Sequence, residues 1–270
     1  MARHARRPLV AAHRGGAQLW PENSLTAFRQ AIALGVDLIE LDVRLSADGQ
    51  VVVIHDGTLN RTTTGSGPVD AQPAAALASL RLKGPHGEIP EGVPTLVQVL
   101  ELLASSTTGL LLEFKSPGIS AAYERRGDRV VAIAGPRYEQ LEEKTLAVLA
   151  ASGLGARTTL MAFNPDVLRR LGELAPGHRR SLLVGADHVT MAQATPEDTI
   201  EWARELGATD VGLEHTLISP RVVARARSAG LSLGVWTVNE AAAIVSALEL
   251  GVDALTSDRP DLALRLAAAQ

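Results

Sequence analysis

The chain has 270 residues, 46% hydrophobic and 21% charged, with 26 Lys and Arg against 30 Asp and Glu and no cysteine. This composition supports a folded core and excludes a disordered chain, and a formal charge of −4 provides no broad basic field for nucleic acid or an anionic membrane. Without cysteine there is no disulfide framework, thiolate zinc site, iron–sulfur cluster or catalytic thiol, so oxygen and nitrogen groups must carry any chemistry.

Residues 1–7, MARHARR, are basic, but the apolar stretch after them is short and meets His13 and Arg14 at once, unlike a signal-peptide core. No apolar run approaches the roughly 18 residues a membrane helix needs. The expectation is a cytoplasmic protein without stable membrane insertion, its first seven residues a solvated, ragged end.

Along the chain, short apolar runs alternate with segments of helical period. Strands are predicted at 9–13, 37–43, 109–114, 158–162, 180–184, 210–213, 231–236 and 253–256. Helices are predicted at about 24–34, 95–105, 138–151, 165–174, 196–206, 219–229, 239–249 and 260–268. Ser24, Ser219, Asn239 and Asp258 supply start signals, and Gly35, Gly153, Gly207, Gly230 and Gly251 supply stops. Eight strand-then-helix units predict an α/β fold, a (β/α)8 TIM barrel, with a doubly wound open sheet as the alternative.

Two segments interrupt the repeat. After 37–43, Ala47-Asp48-Gly49-Gln50 and VVVIH at 51–55 leave no room for a crossover helix, so an extra hairpin follows strand two. A turn centred between Asp48 and Gly49 would set Asp42 opposite His55. Residues 56–93 are turn-rich and too long for a plain loop, which predicts an inserted cap within a single catalytic domain spanning 1–270. Residues 116–137 form a second long excursion on the side where barrel active sites are built.

Polar residues gather at the predicted strand ends. Glu40 and Asp42, two apart, share one strand face, and Glu113 repeats the oddity in LLLEFK. Buried carboxylates are costly without a positive partner, and three of them suit a hard divalent cation, Mg²⁺ or Ca²⁺. His13 and His55 can serve as general acid and base. Arg14 and Lys115 suit phosphate, so together these groups fit a phosphodiester. Ordinary roles compete: Asp42 could pair with Arg14 or Arg44, Glu113 could join a rim ion network, and Trp236 could be rim packing or an apolar wall. His4, His86, His178, His188 and His215 are assigned structural or solvated roles.

These motifs resemble the glycerophosphodiester phosphodiesterase family: AAHRGG at 11–16, PENSLTAF at 21–28, GVDLIELDVRLSADGQVVVIHDGTLNRTTTGSG at 35–67, LLLEFK at 110–115, GVWTVNE at 234–240 and GVDALTSDRP at 251–260. The resemblance implies hydrolysis of a small-molecule glycerophosphodiester to glycerol 3-phosphate and an alcohol, dependent on a divalent cation. His13 and His55 would form the acid/base pair, Glu40, Asp42 and Glu113 would bind the metal, and Arg14 and Lys115 would hold phosphate. It also implies that the substrate's glycerol hydroxyl attacks first, giving a cyclic phosphate that water opens. Glu22 would make a polar contact, Asn23 would secure a turn, and Phe163 and Trp236 would flank the glycerol. Ser24, Ala162 and Ser257 depart from the family's usual Thr, Ser and Thr. The competing functions are a lysophospholipase D or cyclising phospholipid lyase and, in another class, a non-catalytic phosphoglycerol-binding barrel. The head group, the choice of ion, the order of the histidines and the oligomeric state stay open at this point.

Overall fold

All eight predicted barrel strands form in the computed structural model, which describes residues 7–117, 123–127, 129–133 and 135–269. In chain order the elements are β1 (Leu9–Ala12), α1 (Leu25–Leu34), β2 (Leu38–Leu45), β3 (Val51–Val53), α2 (Ala74–Ala78), β4 (Leu82–Gly84), β5 (Gly87–Ile89) and α3 (Leu96–Ala104). There follow β6 (Gly109–Phe114), β7 (Tyr123–Arg126), β8 (Arg129–Ala132), α4 (Leu141–Ser152), β9 (Thr158–Ala162), α5 (Pro165–Leu174), β10 (Arg179–Val184) and α6 (Ala186–Met191). The chain continues with α7 (Asp198–Glu205), β11 (Asp210–Glu214), α8 (Pro220–Ser228), β12 (Ser232–Trp236), α9 (Ala241–Leu250), β13 (Ala254–Ser257) and α10 (Pro260–Ala267). The sheet runs β1-β13-β12-β11-β10-β9-β6-β2, and pairing of β1 with β2 closes it into an eight-stranded parallel barrel.

Strand alternation divides side chains between the helical shell and the barrel axis. In β2, Ile39, Leu41 and Val43 are buried in the outer core while Leu38 and Glu40 face the axial cavity; in β6, Leu110, Leu112 and Phe114 go outward and Leu111 and Glu113 inward. The helices cover the outward set. Ser24 caps α1 by accepting from the Ala27 N–H at 2.9 Å. The helix buries Ala27, Phe28 and Ala31, and Phe28 alone contributes on the order of 2–3 kcal/mol by leaving water.

The hairpin forms, but its register differs from the expected one. Val43 pairs with Val53 and Leu45 with Val51, so Asp42 lies level with Ile54, whose N–H donates to the Asp42 carbonyl at 3.0 Å. Ser46 N–H donates to Gln50 O, which closes a three-residue loop with Gly49 at φ 73°. Asp48 is engaged elsewhere, accepting from Ser46 Oγ at 2.6 Å and Ala74 N–H at 3.0 Å, which favours the longer turn.

Within 56–93, Leu59, Val69, Leu77, Leu82 and Val93 join Val52 and Ile54 in a second small core. The segment is tied to the barrel at two places. Glu91 accepts from the Leu25 and Thr26 N–H groups at the start of α1, and Gly84 packs so closely on Pro21 that a Cβ there would lie 2.6 Å from its Cγ. The helix α6 was not expected from ADHVTM, which has too few apolar positions to show a period; Glu214 Oε2 holds its first N–H at 2.9 Å. Residues 1–6 of the predicted ragged end lie outside the described residues. Arg7 is not simply solvated: it grips Asp37 through two hydrogen bonds of 2.6 and 3.0 Å. Part of the 116–137 excursion also lies outside them, and the rest includes the β7–β8 hairpin. No helix among the described residues is long and apolar enough to cross a membrane.

Candidate active site

Strand register assembles the site. Asp42 lies beside Glu113 in the β2–β6 pair, with Glu40 one pleat below on the same face. Ala12 pairs with Ile39 on one side and Ser257 on the other, so the next residue, His13, emerges between Glu40 and Asp258. The turn that follows needs its glycines: Gly15 has φ 85°, and a Cβ there would lie 2.7 Å from Ala27 Cβ. Arg14 itself adopts φ 51°, a left-handed conformation that costs an ordinary side chain about 1–3 kcal/mol, and so directs its N–H to Glu40 Oε2 at 3.0 Å.

Glu40, Asp42 and Glu113 are 2%, 0% and 7% exposed and each offers an oxygen within 4.8 Å of the others. Cations reach two of them. Lys115 Nζ lies 2.9 Å from Asp42 Oδ1 and hydrogen-bonds Glu113, and Arg14 Nε is 3.4 Å from Asp42 Oδ2. For Asp42, burial alone would raise the pKa, but the Lys115 ammonium and the Arg14 guanidinium outweigh it and hold the group ionised. Among the described residues Glu40 has only the Arg14 N–H and His13 Nε2 at 3.9 Å; burial, then the Asp42 charge, push its pKa up to about 8. Three carboxylates thus face two cations, and Arg14 is shared with Glu22, so the all-oxygen cluster suits a further hard positive charge.

Each histidine is fixed through Nδ1 by a carboxylate. His13 Nδ1 lies 2.6 Å from Asp258 Oδ1, and His55 Nδ1 lies 2.7 Å from Asp56 Oδ1. For His13, burial lowers the pKa but the Asp258 hydrogen bond and the Glu40 charge outweigh it, leaving it raised. For His55, burial together with the Lys115 and Arg14 charges prevails over Asp42 and Asp56, leaving it lowered.

Several supporting groups were not recognised in the sequence. Asp258 and Asn239, taken as helix starts, do not cap α10 or α9, whose N-caps are Arg259 and Glu240 without side-chain bonds. Instead Asn239 Nδ2 donates to Asp258 Oδ2 at 2.7 Å, and Asn239 Oδ1 accepts the Asp258 N–H at 2.9 Å. The available signal was the position of Asp258 at the end of the strand that a closed barrel sets beside β1. Asn23, expected only to secure a turn, donates to Asp42 Oδ2 at 2.8 Å. Arg61, within the cap, binds Asp56 at 2.8 and 2.9 Å and Glu22 at 2.6 and 2.9 Å. No spacing rule marked it. Arg44 does not pair with Asp42; it donates to the His55 carbonyl at 2.9 Å and to the Tyr138 hydroxyl at 2.7 Å.

Eight of the ten predicted residues line one cavity: His13, Arg14, Glu40, His55, Glu113, Lys115, Phe163 and Trp236. Its volume of about 1630 Å³ includes the barrel axis below the mouth. Asp42 and Glu22 stand behind this lining, with Glu22 accepting from Arg14 at 3.1 Å and from Arg61. Phe163 and Trp236 meet edge to face at 5.2 Å, and the Trp236 N–H is held by the Gly212 carbonyl at 2.9 Å.

The model of the "Glycerophosphoryl diester phosphodiesterase family" matches residues 13–262. The "Glycerophosphodiester phosphodiesterase" of Caldanaerobacter subterraneus subsp. tengcongensis is 31% identical over 260 residues, covering 96% of this chain and 97% of that protein. A crystal structure of glycerophosphodiester phosphodiesterase from Agrobacterium tumefaciens superposes with a TM-score of 0.75 at 28% identity, covering 97% and 99% of the two chains. An Oleispira antarctica phosphodiesterase, solved in complex with the product sn-glycerol-3-phosphate, gives a TM-score of 0.75 at 26% identity and covers 98% of each chain.

Proposed function

The chain belongs to the glycerophosphoryl diester phosphodiesterase family and is a phosphoric diester hydrolase; from that premise we propose that it cleaves a small glycerophosphodiester to glycerol 3-phosphate and an alcohol by two-histidine acid/base catalysis with a divalent cation. The observation that carries this reading is the cluster of three buried carboxylates beside two histidines, each oriented through Nδ1 by an aspartate.

Glu40, Asp42 and Glu113 would hold the ion, Mg²⁺ or Ca²⁺. Such an ion polarises a phosphoryl oxygen and offsets charge in the transition state. Arg14 and Lys115 present fixed positive charge to the phosphate, and Phe163 and Trp236 give the glycerol an apolar wall. Arg61 makes segment 56–93 part of the same catalytic unit as the barrel, because it joins Glu22 to Asp56.

The opposite pKa directions, raised for His13 and lowered for His55, favour one order of proton transfers. His55, favoured neutral, takes the proton of the attacking hydroxyl as its oxygen bonds to phosphorus. His13, favoured protonated, gives its proton to the leaving oxygen as the other P–O bond breaks; its hydrogen bond to Asp258 does not depend on the ion. Where glycerol's own hydroxyl attacks, the first product is a cyclic phosphate, and water opens it by the same transfers in reverse.

The test is release of glycerol 3-phosphate from glycerophosphocholine and glycerophosphoglycerol. Chelation is expected to abolish it, as are His13→Ala and His55→Ala in folded protein. Activity that survives both substitutions rejects these roles.

A further inference from the structure

His55 lies just beyond the regular sheet. β3 ends at Val53, the Ile54 N–H bonds back to β2 at the Asp42 carbonyl, and His55 continues in irregular chain. Two groups then fix it from opposite ends. Asp56 Oδ1 holds the imidazole through Nδ1 at 2.7 Å, and Arg44 Nε donates to the His55 main-chain carbonyl at 2.9 Å. Arg44 follows Glu40 and Asp42 on the same face of β2, yet both of its hydrogen bonds among the described residues go to neutral oxygens. The second is the Tyr138 hydroxyl, 2.7 Å from Nη1, with the guanidinium carbon 5.7 Å from the Tyr138 ring centre. Tyr138 ends a segment pinned beside the Phe163 wall. The Gly135 N–H donates to Asp166 Oδ2 at 2.8 Å, and the Pro136 carbonyl accepts from Nδ2 of Asn164, the residue after Phe163, at 2.8 Å.

A guanidinium carries its donors in a rigid planar fork and can span two oxygens at once, whereas an ammonium is a point charge. We propose that Arg44 is a positioning residue for His55: its Nε–H holds the main chain that carries the imidazole, and the Tyr138 hydroxyl holds the guanidinium. Segment 135–138 thereby sets where the base stands relative to a substrate lying against Phe163. This rests on His55 acting as base in the glycerophosphodiesterase reading and deepens it. The effect is one of placement, since moving a reacting group by about 1 Å can cost on the order of 10²-fold in rate.

The test measures kcat and KM for glycerophosphocholine in Tyr138→Phe, Arg44→Lys, Arg44→Ala and the double variant Arg44→Ala/Tyr138→Phe, with folding checked by circular dichroism. Tyr138→Phe removes only the hydroxyl and is expected to lower kcat about 3- to 10-fold, the range of a neutral hydrogen bond. Arg44→Ala should lower kcat by about 10- to 100-fold, with KM within about twofold of wild type throughout. Arg44→Lys, able to hold the carbonyl without spanning to Tyr138, should recover to the level of Tyr138→Phe. Because Tyr138 acts through Arg44, the double variant should be no slower than Arg44→Ala. Wild-type kcat in folded Arg44→Ala, a raised KM at constant kcat, or losses that multiply in the double variant overturn the proposal and leave the functional reading standing. Wild-type protein that releases no glycerol 3-phosphate, or full activity in His55→Ala, overturns the reading beneath it and this inference with it.

Discussion

His13 Nδ1 and Asp258 Oδ1 stand 2.6 Å apart although 245 residues separate them in the chain. The contact exists because β1 lies beside β13, and the residues just past the Ala12–Ser257 pair must meet at the barrel mouth. Asp258→Asn keeps the shape but removes the charge that favours protonated His13. We expect kcat to fall by roughly 10²-fold, within the range attributed to a positioned acid or base, with KM nearly unchanged. Wild-type kcat in that variant would disprove the pairing's role.

Arg61 makes four hydrogen bonds to Asp56 and Glu22 while staying half-exposed. Exposed ion pairs contribute only about 0–1 kcal/mol to stability, so its effect should appear in catalysis. Arg61→Ala is expected to lower kcat by about tenfold with a melting temperature close to wild type, and Arg61→Lys to recover part of the rate. A large drop in melting temperature with normal kcat would make the residue a structural clamp only.

As a proposed ion ligand, Glu40 would link pH to ion binding. Its pKa, raised from 4.5 to about 8 by burial and by Asp42, means that near neutral pH the ion-free protein holds a proton there which a divalent cation must displace. The thermal stabilisation given by added Mg²⁺ or Ca²⁺ should therefore grow as pH rises from about 6 to 8. Equal stabilisation across that range, measured against a chelated control, would contradict the assignment.

The same group predicts a trade between stability and activity. A carboxyl whose folded pKa lies above its unfolded one stabilises fully below about 4.5 and loses that contribution as pH climbs through about 8. Glu40→Gln should therefore raise the melting temperature of the chelated protein relative to wild type most clearly above pH 8, while abolishing turnover. If the variant melts lower at pH 9 than wild type, the buried charge is better compensated than its neighbours indicate.

The order of eight strands and their helices was legible in the sequence because apolar period and turn residues are local properties. The strand-end set His13, Glu40, Asp42, His55 and Glu113 was legible for a related reason: ionisable residues interrupting apolar runs are costly unless they converge. The local pattern therefore specified a barrel with two histidines and three carboxylates gathered at one end. Tertiary structure decided which partner each group has. The hairpin slipped by one residue because Asp48 bonds Ser46 and Ala74, the latter well beyond the turn. Asp258 and Asn239 turned from expected helix starts into supports for His13 because barrel closure adjoins the first and last strands, and Arg61 reached Asp56 because the cap folds against the rim. Such contacts depend on closure and packing between distant segments, whose geometry no local period encodes.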